Sequence, residues 1–179
     1  MRISGSTTNS DLRREGMQLY RKRFQELTTE ELYRLMKLRV AVFVVEQNCP
    51  YMELDDCDQN AIHIWLEDED GIQAYLRVMD RGVENDHVSI GRVLAVSRRQ
   101  GLGSRILSEG IRAAEDFFQA DHIYLESQVY AKGLYERQGF RQISGEFLLD
   151  GIPHVKMLLD VTAVQSRSSC EDRSVKRSC

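Results

Sequence analysis

The stretch Val88–Phe118, VSIGRVLAVSRRQGLGSRILSEGIRAAEDFF, contains the pattern that decides the fold. Residues His87–Val96 are rich in apolar and β-branched side chains and predict a strand. Ser97–Gly103 is a short loop of arginines and glycines. The helix predicted after this loop has an apolar face made of Ile106, Leu107, Gly110, Ile111, Ala114, Phe117 and Phe118. Because His122–Val129 then returns as a strand, this is a βαβ unit, and its two strands should be parallel.

The flanking sequence predicts antiparallel strands on both sides of this unit. Upstream, Gln18–Leu27 predicts an opening strand, and the capping box Thr28–Glu31 predicts a helix that runs to about Val45. After the irregular, polar segment Glu46–Asn60, we expect a hairpin of Ala61–Glu67 and Ile72–Asp80. Downstream, the chain predicts a short helix, a strand, the turn Asp150-Gly151 and a last strand, at Ala131–Arg137, Phe140–Leu149 and His154–Asp160. The predicted fold class is α/β (α+β) with a mixed sheet.

The composition predicts one folded domain. The chain has 179 residues with no Gly/Pro/Ser-rich linker, so we expect a domain over residues 17–162 between a disordered polar arm at 1–16 and a disordered polar tail at 163–179. The net charge is −4, but both ends are basic and residues 24–162 carry an excess of ten acidic side chains. Since phosphate backbones bind to basic surfaces, nucleic acid is not the expected partner of the domain.

The apolar segments and the cysteines indicate the cellular compartment. No apolar run has the roughly 18–20 residues that a membrane span requires, and the N-terminal segment lacks the apolar core of a secretory signal. Four scattered cysteines do not form a disulfide framework. We therefore expect a cytoplasmic, reduced protein without a membrane partner.

The loop before the long helix has the chemistry of a phosphate-binding site. Glycines at a strand-to-helix turn expose backbone N–H groups, and the helix dipole adds positive potential there. Arg98, Arg99 and Arg105 supply further positive charge. The loop lacks the lysine of a Walker P-loop, and Ile106 stands where a Rossmann loop has its third glycine, so neither nucleotide motif fits. A tight turn that requires glycine is the alternative explanation.

These residues carry a resemblance to a known superfamily. Arg98-x-x-Gly101-x-Gly103 resembles the coenzyme A pyrophosphate loop of the GNAT N-acetyltransferases, and Ala131–Phe140 resembles their second signature, a helix with a tyrosine before a Gly-Phe strand entry. Over residues 19–160 the chain is more narrowly similar to the ElaA-like family, through Lys37–Arg39, Val42–Tyr51, the spacing of Asp55, Asp58 and His63, Ala74–Arg77, Ile90–Val93 and Asp150–His154.

The resemblance implies a GNAT-type acyl-CoA N-acyltransferase fold with acetyl-CoA as cofactor. In this fold two central parallel strands splay apart, and the pantetheine arm bonds to the backbone of the first of them, here at Leu94, Ala95 and Val96. The pyrophosphate would lie on Arg98, Arg99, Gln100, Gly101, Leu102, Gly103 and Ser104. The loop is several residues shorter than the common form, so the resemblance assigns no individual role to Arg98 or Arg99. Such folds often bury a sheet edge in a homodimer.

The implied reaction is attack of an amine on the thioester, which requires a proton acceptor for the amine and a donor for the leaving thiolate. Tyr135, in the second signature, is the predicted donor, and packing as a core aromatic is its alternative role. Glu126 on the last βαβ strand and Glu46 at the end of the first helix are both candidate bases, either of which would act through water. A non-catalytic acyl-CoA-binding or regulatory module on the same fold is the competing function.

The acceptor is predicted to be a small-molecule or peptide amine, bound by the acidic segment after the first helix. Glu46, Asp55, Asp58 and His63 are the candidate acceptor-binding residues, because negative potential attracts a cationic amine. For His63, a hydrogen-bonded structural role is the alternative. Cys49, Cys57 and His63 match no common zinc spacing, so no metal site is predicted.

Overall fold

Eight strands form one mixed sheet in residues 16–162, the part of the chain that the computed structural model describes. The strand order is β1-β2-β3-β4-β5-β8-β6, and β7 also pairs with β8. Every pairing is antiparallel except that of β4 with β5. The strands are β1 (Gln18–Arg23), β2 (Ala61–Asp68), β3 (Gly71–Met79), β4 (Val88–Ala95), β5 (His122–Gln128), β6 (Arg141–Gln142), β7 (Phe147–Leu149) and β8 (Ile152–Asp160). The predicted fold class, hairpin and parallel crossover are confirmed.

Three α-helices lie between these strands: α1 (Thr29–Arg39), α2 (Leu102–Phe118) and α3 (Lys132–Glu136). The predicted capping box opens α1, where Thr28 Oγ1 accepts from the Glu31 N–H and the Glu31 carboxylate accepts from the Thr28 N–H. Beyond Arg39 the helix widens into a π-helical segment, Val40–Glu46, rather than continuing as the predicted α-helix. Short 3₁₀ turns lie at Phe24–Glu26, Asp58–Asn60 and Val129–Ala131.

The helices cover opposite faces of the sheet, so that the core has two layers. On one face α2 packs against β2, β3 and β4, and a Cβ at Gly110 would lie 2.7 Å from Leu76 Cδ2, so a larger residue there would displace the buried Leu76 side chain. On the other face α1 packs through Leu35 against Trp65, Tyr75 and Leu94. The predicted inward position of Phe117 is wrong: this ring near the end of α2 is 36% exposed, and the Arg23 guanidinium lies 5.5 Å from its centroid.

The parallel strands β4 and β5 separate soon after they meet. They pair only at Val88–Ile123 and Ser89–Tyr124. Beyond these pairs β4 has a bulge against β3, since the register moves from Arg77–Gly91 to Tyr75–Leu94, and Arg92 adopts a left-handed backbone with φ +55°. A bulge bends its strand and increases its twist. The expected splay of the two central strands is therefore present.

Two predicted strands are shorter than expected. β1 ends at Arg23, because the Glu26 carboxylate accepts from the Arg23 N–H and the chain turns. The predicted strand Phe140–Leu149 is interrupted where Ser144 Oγ accepts from the Lys156 N–H and replaces a main-chain partner. Apart from Gly16, the predicted arm and tail lie outside the described residues. No helix within residues 16–162 is long and apolar enough to cross a bilayer.

Candidate active site

The N-terminus of α2 presents backbone donors that no side chain caps. Arg99 and Gly101 have left-handed backbones, with φ +62° and +78°, which turn the chain sharply into the helix. The first intrahelical bond runs from the Arg105 N–H to the Gly101 carbonyl, and Gly101, as the N-cap, offers no side-chain acceptor. The N–H groups of Leu102, Gly103 and Ser104 therefore have no intrahelical partner. Together with the helix dipole, these groups have the chemistry that favours an anion.

Two neighbours shape this helix end. A Cβ at Gly103 would meet Leu134 Cδ2 at 3.4 Å, so α2 lies close against α3 there. The exposed Arg98 side chain forms an ion pair with Glu46, at the end of the π-helical segment. Glu46 therefore lies beside the loop, in contact with a predicted cofactor-binding residue, and it does not line the cavity described below.

The open edge of β4 is the second element of the site. The Val96 N–H donates to the Gln73 carbonyl of β3 at 2.9 Å, so this N–H is not available for the predicted contact with a ligand. Because backbone groups alternate direction along a strand, the N–H and carbonyl of Ala95 point towards β5 instead. Since β5 has already diverged there, Ala95 lies on an unpaired edge.

A cavity of about 200 Å³ occupies the gap between β4 and β5. Its walls include Ile90 and Tyr135 from the α2 side of the sheet. On the other side lie Glu126, Gln128 and His154, whose strand neighbours Leu125 and Val155 face α2. The cavity thus connects the two faces of the sheet through the splayed strands. Its remaining wall comes from Phe43, Gln47, Cys49, Tyr51, Glu84, Gly91, Arg92, Val93, Tyr130, Ala131, Leu149, Asp150 and Ile152.

Tyr135 lies at the α2 side of this cavity. Its ring is 7% exposed and packs edge-to-face on Phe140, with centroids 6.0 Å apart. Burial, with a smaller effect of the neighbouring Tyr130 phenol, raises the pKa of Tyr135 above its usual range. The phenol therefore keeps its proton at neutral pH and remains a hydrogen-bond donor.

Glu126 lies on the cavity wall opposite Tyr135. Its carboxylate accepts from the Tyr124 hydroxyl at 2.7 Å. Burial of Tyr124 and this carboxylate together raise the pKa of the Tyr124 phenol, so the hydrogen bond persists at neutral pH. Of the two candidate bases, the structure brings Glu126 into the cavity and leaves Glu46 outside it.

A closed ring of six charged side chains lies behind the cavity, and we call it the ion ring. Each arginine bridges two carboxylates, and each carboxylate bridges two arginines, with N–O distances of 2.5 to 3.0 Å. The order around the ring is Arg39, Glu53, Arg92, Asp55, Arg77 and Asp58. The ring connects four parts of the fold: α1, strand β3, the bulge of β4 and the segment that precedes β2.

The ion pairs of the ion ring keep its side chains ionised. Although burial opposes ionisation, the hydrogen bond from Arg77 and the charges of Arg77 and Arg92 lower the pKa of Asp55 to about 2. Burial likewise opposes ionisation of Asp58, but Arg39 and Arg77 lower its pKa. Burial opposes ionisation of both arginines, but Tyr75 and the carboxylates Glu53 and Asp58 raise the pKa of Arg39, and Asp55 and Asp58 raise that of Arg77.

Three of the predicted acceptor-binding residues are consequently not where the sequence placed them. Asp55 and Asp58 are held by the ring arginines and do not line the cavity. His63 is buried: its Nε2–H donates to the Asp58 carbonyl at 3.0 Å, and its Nδ1 accepts from the Tyr75 hydroxyl at 2.9 Å. Burial lowers the pKa of His63, so the ring stays neutral. The geometry gives all three a structural role.

Residues 23–161 match the family described as acetyltransferase (GNAT) domain. The chain belongs to the GNAT acetyltransferase family. Among the relatives of this GNAT chain, Escherichia coli ElaA is 34% identical over 142 residues, which are 76% of this chain and 92% of ElaA. A UPF0039 protein of Mycobacterium tuberculosis is 41% identical over 140 residues, 75% of this chain and 87% of that protein.

Two solved structures are similar to this chain in both fold and sequence. An acyl-CoA N-acyltransferase from Pseudomonas aeruginosa superposes with a TM-score of 0.75 at 37% identity, over 80% of this chain and 99% of that one. E. coli ElaA superposes with a TM-score of 0.75 at 31% identity, again over 80% and 99%. The predicted family is confirmed, and the chain is an acyl-CoA-dependent acyltransferase. This result argues against the competing non-catalytic module.

Sequence reasoning missed several residues that line the cavity of this GNAT protein. Glu84 lies in the unpatterned connection between β3 and β4, which carried no signal. The sequence indicates a turn for Asp150 and a strand for His154, and both belong to the family resemblance, but neither is predicted as a site residue. With Glu126, the cavity contains three carboxylates, whereas its arginine, Arg92, is already held by Glu53 and Asp55. The charged side chains that line the cavity therefore have a net negative charge.

Proposed function

We propose that this chain transfers an acetyl group from acetyl-CoA to a primary amine by direct attack within a ternary complex. The observation that carries the proposal is the cavity through the sheet, which joins Tyr135 on one face to the carboxylates on the other. Cofactor and acceptor can therefore approach from opposite faces and meet between β4 and β5. When bound, acetyl-CoA supplies an activated thioester carbonyl.

The residues of the loop and of β4 would hold the cofactor. The free N–H groups of Leu102, Gly103 and Ser104 suit a pyrophosphate, and Arg99 and Arg105 add positive charge beside them. Arg98 can join them by leaving its exposed pair with Glu46, because such a pair is worth about 0–1 kcal/mol. The outward backbone groups of Ala95 can bond to the pantetheine amides. Backbone N–H groups on this edge are also suited to stabilise an oxyanion.

The acceptor would be a cation on arrival. The unbalanced carboxylates Glu84, Glu126 and Asp150 attract an ammonium group into the cavity. The attacking nitrogen must then lose a proton, and the leaving sulfur must receive one. Tyr135 is the proposed donor to sulfur, since its phenol is protonated and no side chain of residues 16–162 hydrogen-bonds to its hydroxyl.

Thiol release from acetyl-CoA tests this proposal. The purified chain is incubated with acetyl-CoA and a panel of alkylamines, polyamines, amino sugars and peptides, and free thiol and acetylated product are measured. We expect amine-dependent thiol release with formation of one equivalent of N-acetyl product. Binding of acetyl-CoA without amine-dependent thiol release across the panel would refute amine acetylation.

A further inference from the structure

His154 is a histidine in the cavity, and one of its ring nitrogens has no hydrogen-bond partner among the described residues. It lies on β8 opposite Gln128 of β5 and Phe147 of β7, and it is 9% exposed. Its Nδ1 lies 2.8 Å from the Ile152 carbonyl oxygen. Since a carbonyl can only accept, Nδ1 carries the hydrogen, and the Nε2 of the neutral ring is an unprotonated acceptor.

The surroundings of His154 hold the ring in one orientation and leave Nε2 accessible. The Phe147 ring lies against it, with centroids 6.1 Å apart. Nε2 has no hydrogen-bond partner in residues 16–162 and is not among the polar atoms that the protein encloses without a partner. Because the residue lines the cavity, this acceptor nitrogen is available to a molecule bound there.

The charged groups that face His154 are mostly carboxylates. Glu126 lies on the same face of the neighbouring strand β5, and Glu84 and Asp150 line the same cavity. Two cations lie nearby. Lys156 follows two residues later on β8, with its ammonium 5.7 Å from the Phe147 centroid. Arg92 is paired with Glu53 and Asp55 in the ion ring. The other titratable groups of the cavity are Cys49, Tyr51, Tyr130 and Tyr135. Carboxylates outnumber the cations, so a cationic acceptor is drawn towards Nε2.

We propose that His154 is the general base that deprotonates the acceptor ammonium, an inference that rests on the amine acetylation proposed above. One N–H bond of the ammonium breaks, and its proton moves to Nε2 while the electron pair stays on nitrogen. The amine nitrogen then bonds to the thioester carbon, the C–S bond breaks, and sulfur takes the Tyr135 proton. The second proton that nitrogen loses on becoming an amide restores the phenol, and His154 returns its proton to solvent.

Two acceptors of equal size separate this role from a structural one. Ethylamine is charged at neutral pH and requires a base, whereas methoxyamine, which has the same number of heavy atoms, is already neutral. His154→Asn keeps an amide donor near the Ile152 carbonyl and removes Nε2. We expect kcat/KM with ethylamine to fall roughly 10²-fold or more, and kcat/KM with methoxyamine to change little. His122→Gln, a histidine on β5 outside the cavity, is the matched control and should leave both unchanged.

The outcomes distinguish the two proposals. Equal losses with both acceptors, or unchanged ethylamine turnover in folded His154→Asn, would overturn the role of His154 and leave amine acetylation standing. Absence of turnover with either acceptor in the wild type would overturn amine acetylation, and with it the base. Should His154→Asn not fold, the wild-type pH profiles decide. An acidic limb in kcat/KM with ethylamine but not with methoxyamine supports His154, and the same limb with both acceptors contradicts it.

Discussion

Asp58 joins the two fully buried arginines of the ion ring, and its replacement by asparagine should destabilise the fold strongly. Asp58 Oδ1 accepts from Arg39 Nη1 at 2.6 Å and from Arg77 Nη1 at 3.0 Å. Asp58→Asn leaves three arginines facing two carboxylates. Removing one partner of a buried ion pair costs about 3–5 kcal/mol, and the lower end applies because the asparagine oxygen still accepts one bond. For a chain of this size, that loss lowers Tm by roughly 6–12 °C.

The assay is thermal unfolding at neutral pH, followed by circular dichroism. Lys132→Gln is the control, since it removes an exposed pair with Glu136 at 3.5 Å that is worth about 0.3–0.5 kcal/mol. Its Tm should stay within about 2 °C of the wild type. If Asp58→Asn melts as close to the wild type as this control does, the ring does not stabilise the fold.

Three further predictions concern the cofactor site and the ring. Tyr135→Phe should lower kcat roughly 10²-fold with little change in KM or Tm, because it removes a proton donor that has no hydrogen-bond partner within residues 16–162; wild-type kcat with chemistry rate-limiting would exclude the phenol as acid. Gly103→Glu should abolish coenzyme A binding in calorimetry, since it places a carboxylate at the uncapped helix end and against Leu134; unchanged affinity in the folded variant would place the pyrophosphate elsewhere. Because the folded-state pKa of Asp55, about 2, lies below its ordinary 3.8, its contribution to stability should be complete well above its ordinary pKa and lost as pH falls through about 2. Denaturant unfolding across this range should show a shallower pH dependence for Asp55→Asn, and identical slopes would contradict the assignment.

Local patterns made much of the fold predictable. The capping box at Thr28, the hairpin and the βαβ unit each depend on residues close together in sequence, and each is present. Predictions failed where a contact with a residue distant in sequence changed the local structure. The strand expected at Phe140–Leu149 is interrupted because Ser144 bonds to Lys156, and Phe117 is exposed beneath Arg23, nearly a hundred residues earlier.

In the proposed site, the cofactor side depends on residues close together in sequence, and the acceptor side does not. The cofactor side is built from the consecutive residues of the loop and the start of α2, so sequence spacing describes it. The acceptor side is assembled from separate elements, which contribute Glu84, Glu126 and His154. Asp55 and Asp58 had the charge expected of an acceptor site, but the sequence did not show that arginines of α1, β3 and β4 would neutralise them.

The closed form of the ion ring constrains how the sequence can drift over evolutionary time. In an open chain of ion pairs a terminal residue can be lost with little effect on the others, whereas every member of a closed ring has two neighbours. A single neutral substitution at any of the six positions leaves an unmatched charge in the interior. Viable replacements should therefore arise as opposite-charge pairs, taken from the two ends of one bridge. The exposed pair of Glu46 and Arg98 is free of this constraint, because the loss of either residue leaves no buried unmatched charge.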